Sequence, residues 1–123
     1  MTEKYLSLNG KKFYYDEIAA YSFRNSIPLD GYESKTLEFC RSWLNGVQEF
    51  PIQTSGSTGI PKTIALTRKQ LEASARRTIK LLNLQPGDCT FICLNTEYIA
   101  GMMMLVRGFE ADLQIVIVEP ISN

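Results

Sequence analysis

Residues 53–67 read QTSGSTGIPKTIALT, with six consecutive small or hydroxyl-bearing residues at 54–59 leading into Pro61 and Lys62. Gly56 and Gly59 permit positive φ and close backbone approach, so successive N–H groups can turn inward around the oxygens of an anion. Ser55, Ser57 and Thr58 add hydroxyl donors, and Lys62 adds one mobile positive charge. The flanks are extended in character. Residues 47–54 lead in as a strand, with Pro51 marking an edge or irregular position, and Ile64, Ala65 and Leu66 lead out as a second short strand. Thr67-x-x-Gln70 then has the form of a capping box that opens a helix. The stretch is expected to run strand, loop, strand, with a loop built to hold phosphate.

Working outward, that helix extends to about residue 83, with Leu71, Ala75, Thr78, Ile79 and Leu82 as its buried stripe. Its other face carries Arg68, Lys69, Arg76, Arg77 and Lys80, relieved by Glu72, which is placed to pair with Arg76 at i,i+4. No aromatics lie among these charges, so a solvated face is expected rather than a nucleic-acid contact. Gln85-Pro86-Gly87-Asp88 turns the chain. Residues 89–94 read as a strand buried on both faces, 97–110 as a helix apolar almost all round, and 113–118 as a second buried strand, together a parallel β-α-β unit. That helix needs heavy cover, so self-association or burial on the N-terminal helix is expected.

Upstream, residues 5–15 alternate about Asn9-Gly10 as a hairpin. Residues 18–21 form a short helical turn, and 25–31 a loop. Asp30-x-x-Glu33 caps a helix over 33–45, with Leu37, Cys40, Arg41 and Leu44 at helical spacing and Phe39 and Trp43 beside them. The fold class is α/β, with an N-terminal hairpin and helix, the two loop strands, then the β-α-β unit.

Composition narrows the chemistry. The 123 residues hold 13 basic and 13 acidic side chains and no histidine. Zero net charge gives no support to a nucleic-acid or anionic-membrane partner. The missing histidine removes Ser-His-Asp and Cys-His machinery and the usual zinc ligand sets. Cys40, Cys89 and Cys93 are an odd count behind a charged and polar N-terminus, which reads as cytoplasmic. Cys89 and Cys93 would stand about 13 Å apart on one strand, too far for a disulfide, and read as small core hydrophobes. No apolar run reaches the length of a membrane span.

The P-loop pattern G-x-x-x-x-G-K-[ST] fails, because counting from Gly56 puts Pro61 where its second Gly belongs. Residues 54–62 instead match, at every fixed position, the signature T-S-G-S-T-G-x-P-K of the adenylate-forming enzymes, which include acyl-CoA synthetases, luciferases and the adenylation domains of peptide synthetases. The chain resembles that superfamily, although Thr63 stands where Gly is usual. The resemblance implies that the loop closes over the β- and γ-phosphates of ATP while a carboxylate attacks the α-phosphate. Thr54, Ser55, Gly56, Ser57, Thr58, Gly59 and Lys62 would bind phosphate, with Lys62 the catalytic cation.

Within the helix over 97–110, Tyr98-Ile99-Ala100-Gly101 followed by Arg107 is similar to a run in the 2-succinylbenzoate CoA ligases of menaquinone biosynthesis. Those carry His-Ile-Ser-Gly with an Arg six residues after the Gly. The resemblance implies that Tyr98, Gly101 and Arg107 line an acyl-substrate pocket, with Tyr98 a departure from the His. ATP, Mg2+, CoA and a small carboxylic acid are the implied reactants and cofactors of the complete enzyme. Residues 1–123 would then be the N-terminal portion of an AMP-binding domain, without the Tyr-Gly-x-Thr-Glu motif, the ribose-binding Asp or the C-terminal domain and its lysine. The isolated chain is accordingly expected to be inactive while still gripping phosphate weakly. Two other readings compete. One is a ligase of the same family for another aromatic or fatty acid, and the other a stand-alone phosphate- or nucleotide-binding module.

Overall fold

Asn9 and Gly10 both take positive φ, 51° and 79°, the left-handed pair that lets a two-residue turn match the twist of its strands. Strands β1 (Tyr5–Leu8) and β2 (Lys11–Tyr14) pair antiparallel across that turn. The computed structural model describes residues 3–23, 28–54 and 59–121. Beyond the hairpin it contains α1 (Tyr15–Ala20), α2 (Gly31–Leu44), β3 (Glu49–Thr54), β4 (Lys62–Thr67), α3 (Arg68–Leu82), β5 (Cys89–Ile92), α4 (Ile99–Glu110) and β6 (Gln114–Ile117). The expected helical turn at 18–21 is α1, which follows β2 directly. Part of the loop expected over 25–31 lies outside the described residues.

Two sheets result, one in the order β2-β1-β6-β5 and the other the β3-β4 hairpin. The β5-α4-β6 unit is parallel, as its apolar runs predict. Periodicity does not reveal that β1 joins it, pairing parallel with β6 through Ser7↔Val116 and Leu8↔Ile117. The Asn9 N–H donates to the Ile117 carbonyl at 2.8 Å, and the Glu119 N–H donates to Asn9 Oδ1 at 2.8 Å.

Leu6, Leu8, Ile92, Ile115 and Ile117 project from one sheet face and meet Leu37 and Cys40 of α2 and Leu105 of α4. Each such aliphatic side chain contributes about 1.5–3 kcal/mol on burial. A second cluster joins Met102, Met103 and Val106 of α4 to Trp43, Phe50, Ile52, Leu71 and Ala75. The apolar face of α4 is therefore covered within the chain by α3, β3 and the last turn of α2.

Several expectations need correction. β5 is a sheet edge covered on one face only, so Cys89, Phe91 and Cys93 are exposed, Phe91 to 57%, rather than buried on both faces or in the core. Leu82 is 62% exposed because α3 runs past the surface that supports Leu71 and Ala75. Arg41 points outward over the Tyr21 ring, 5.1 Å from its centroid, while Thr36 and Trp43 are buried. Glu72 approaches Arg68 at 3.6 Å instead of Arg76, and Arg76 reaches Glu110 on α4, also at 3.6 Å.

Arg68 is not part of a wet face. Its guanidinium lies 3.9 Å from the Trp43 ring centroid and donates to the carbonyls of Trp43 and Val47 at 3.0 and 3.1 Å. It ties the start of α3 to the end of α2. The other basic residues of α3, Lys69, Arg76, Arg77 and Lys80, are exposed as expected.

Both capping boxes form. Glu33 N–H donates to Asp30 Oδ1 at 2.8 Å, and Asp30 N–H returns to Glu33 Oε1 at 3.0 Å. Glu33 is buried, which opposes its ionisation, but hydrogen bonds from Lys11, the Asp30 N–H and Asn9 outweigh that cost and hold its carboxyl below the ordinary value of 4.5. A depressed carboxyl contributes stability in full above 4.5 and loses it as pH falls through the lowered folded value. Glu33→Gln is expected to cost about 1–3 kcal/mol at pH 7. It should also flatten the acid limb of stability below pH 4.5, measured by urea unfolding across pH.

Candidate functional site

β3 and β4 pair in unbroken register from Glu49↔Thr67 to Thr54↔Lys62, and the last pair is the mouth of the loop. Thr54 Oγ1 donates to the Lys62 carbonyl at 3.3 Å, closing that mouth. Ser55, Gly56, Ser57 and Thr58 lie outside the described residues. Gly59 has φ 79°, the left-handed backbone that the sequence demands of it. Lys62 is exposed at the head of β4 and makes no ion pair among the described residues, so its ammonium is available to an anion. The two strands are as expected, β4 opening two residues earlier than its apolar core, while most of the expected loop lies outside the described residues.

The opposite end of the hairpin is anchored. Phe50 and Ile52 are buried, Thr67 caps α3 through a reciprocal pair with Gln70, and the Arg68 N–H donates to the Gln48 carbonyl at 2.7 Å. The hairpin is thus held firmly at its base, the end away from the Thr54–Lys62 pair.

Along its other edge β3 meets the start of α4 through a parallel bridge, Gln53↔Tyr98. Tyr98, the N-cap of α4, is 37% exposed beside the residue that precedes Thr54. Gly101 is buried, and a Cβ built there would lie 2.5 Å from the Asn95 carbonyl oxygen, so the turn before α4 requires glycine. Arg107 sits near the far end of α4. Nine residues separate it from Tyr98, about 14 Å along the axis and half a turn round it. Tyr98 is brought beside the loop mouth, Gly101 lies against Asn95 and Thr96 in the turn before α4, and Arg107 is far from both. Burial draws the Arg107 guanidinium below its ordinary value, and among the described residues it has no ion-pair partner.

A cleft of about 440 Å³ opens between α2, the hairpin and the start of α4. Phe39, Phe50 and Met102 give it an apolar floor, while Lys35, Glu38 and Glu97 supply its charges. One lysine against two glutamates, with Lys35 paired to Glu97 at 2.6 Å, does not complement an anion. Cys40 is no nucleophile, since burial pushes its thiol up to about 12. Among the described residues no group of three or more Cys, Asp or Glu side chains could hold a metal ion, and no helix is long and apolar enough to cross a membrane.

The residues that sequence reasoning missed are those holding the turn before α4. Tyr32 Oη donates to the Leu94 carbonyl at 2.8 Å, Thr36 and Thr96 share a buried hydroxyl pair at 2.7 Å, and Lys35 meets Glu97. Their signal was the spacing of Tyr32, Lys35 and Thr36 on one helix face, which gains meaning only opposite its partner.

No family model matches the chain. It is 33% identical over 67 residues to 2-succinylbenzoate–CoA ligase of Bacillus mycoides, a match covering 54% of this chain and 14% of that protein. The Bacillus cytotoxicus ligase of the same name is 31% identical over the same length. The crystal structure of an acyl-CoA synthetase (AMP-forming)/AMP-acid ligase II-like protein from Dyadobacter fermentans superimposes with a TM-score of 0.75 at 47% identity. That match covers 85% of this chain and 29% of the other, so the chain spans well under half of each relative.

Two substitutions separate packing from chemistry. Gly101→Ala is expected to destabilise by about 1–3 kcal/mol or more, because backbone rather than a flexible side chain must yield. Arg107→Met removes a half-buried unpaired charge and is expected to leave stability within about 1 kcal/mol or raise it. Urea unfolding of the two variants checks both.

Proposed function

We propose that this chain, a portion of the AMP-forming acyl-CoA synthetase superfamily, is the N-terminal, phosphate-gripping part of an acid CoA ligase. The observation that carries the reading is the β3–loop–β4 hairpin, with Thr54 and Lys62 in register at the mouth of a nine-residue signature. The reaction has two steps. A substrate carboxylate attacks the α-phosphate of ATP, releasing pyrophosphate, and the thiolate of CoA then displaces AMP from the acyl-adenylate.

The chain's part is positioning and charge stabilisation. Loop N–H groups at 55–59 and the hydroxyls of Ser55, Ser57 and Thr58 hold phosphate oxygens beside Thr54, and Lys62 neutralises the charge that develops on them. Magnesium, when bound to the nucleotide, shields the same phosphates. No protein nucleophile is needed, consistent with a chain that has no histidine.

The acid is proposed to be 2-succinylbenzoate, supported by the name shared by the Bacillus relatives and by the run at 98–107. Tyr98 and Gly101 border the acid beside the loop. Arg107 enters through resemblance, supported by its being half-buried without an ion-pair partner among the described residues. A cytoplasmic location for the complete enzyme is part of the same proposal.

Binding is the direct test, since this chain carries no adenine-reading Tyr-Gly-x-Thr-Glu motif. Inorganic pyrophosphate is expected to perturb the amide resonances of residues 54–62, and ATP and GTP to bind alike. Lys62→Ala should weaken both nucleotides by about 1.5–3 kcal/mol, as for a lost hydrogen bond to a charged group. Silence of the 54–62 amides at saturating pyrophosphate would sink the reading.

A further inference from the structure

Residues 93–98 connect β5 to α4, and Thr96 is the one buried residue among them. The turn is therefore held by polar contacts. Tyr32, Lys35 and Thr36 occupy positions i, i+3 and i+4 of α2, one helix face, and reach Leu94, Glu97 and Thr96 respectively. From the other side, the missing side chain of Gly101 lets α4 press against the Asn95 carbonyl. Within the turn, the Glu97 N–H donates to Asn95 Oδ1 at 2.9 Å. Gripped from both sides, the turn delivers Tyr98 to its bridge with Gln53, one residue before Thr54.

The geometry points to Thr36 and Thr96 as positioning residues, a buried hydroxyl pair that, with Tyr32 and Lys35, sets the register of Tyr98 and the first turn of α4 against the mouth of the 54–62 loop. This rests on the proposed function only for what the loop binds. A neutral hydroxyl pair adds little net stability, and two apolar groups of the same shape would serve a core as well. What the pair supplies is direction. An apolar contact tolerates sliding of the turn along α2, whereas a hydrogen bond between two short side chains fixes one alignment. Burial raises the Tyr32 phenol above its ordinary value, so it remains a donor at neutral pH. The Lys35–Glu97 pair is exposed on the lysine side and contributes mainly orientation.

The experiment compares local with global opening in the full chain. In Thr36→Val/Thr96→Val, the global unfolding constant should stay within about threefold of wild type, because both partners are replaced together. Amide exchange at residues 96–98 should rise by about tenfold or more, and the nuclear Overhauser contact between Gln53 and Tyr98 should be lost. Thr96→Ser keeps the hydroxyl and should behave as wild type. Tyr32→Phe removes one hydrogen bond without touching the core and should speed exchange at 94–98 by about threefold. It decides the matter if the double variant does not fold. Wild-type exchange and an intact Gln53–Tyr98 contact in the folded double variant would overturn the inference, as would no change in Tyr32→Phe or a Thr96→Ser variant as loose as the valine pair. Pyrophosphate added to the wild-type chain keeps the two ideas apart. If residues 54–62 do not respond while the variants loosen Tyr98, the ligase reading falls and the positioning role stands.

Discussion

An α-helix that is apolar on nearly every face must be enclosed, and α4 imposes that demand on the whole chain. Leu105 faces the sheet cluster with Ile92, Ile115 and Ile117, while Met102, Met103 and Val106 face the cluster of Trp43, Phe50, Ile52 and Leu71. No single β-α-β unit offers two covers. The first comes from the four-stranded sheet, enlarged by the N-terminal hairpin through β1 pairing with β6. The second comes from α3 and the β3–β4 hairpin, which have no hydrogen-bonded strand connection to that sheet. Enclosing α4 is what carries the 54–62 loop to the N-terminal end of that helix.

The proposed phosphate site sits where packing is thinnest. β3 buries Phe50 and Ile52, whereas β4 is exposed along most of its length and the loop ends stand clear of the core. A base anchored by Arg68 and the Thr67 cap keeps the Thr54–Lys62 mouth in place. The neighbouring cleft is better formed as a concavity, yet its charges are wrong for phosphate.

Much of this was legible beforehand because it is local. Asn9-Gly10, Asp30-x-x-Glu33 and Thr67-x-x-Gln70 each specify their geometry within four residues, and each forms as expected. The nine-residue signature likewise announces a loop between strands. Errors arose where solvent exposure depends on distant chain. Cys89 and Phe91 look like core in an apolar run, but an edge strand covered on one face leaves them outside. Leu82 continues a perfect helical stripe beyond the surface that stripe packs on. The carboxylate nearest in sequence to Arg76 is Glu72, but the one it meets is Glu110 of α4.

The sequence by itself determined the elements, their caps and the α/β class, because turn geometry, periodicity and hydrogen-bonding residues act over a few positions. Only the tertiary structure decided the neighbours: β1 beside β6, Arg68 over Trp43, and Thr36 against Thr96 sixty residues away. It also decided that Tyr98, capping α4, stands beside the loop mouth while Arg107 of the same helix does not. The physical reason is that side-chain partnership across elements depends on which apolar faces must be covered together, a condition on the whole chain that no local window contains.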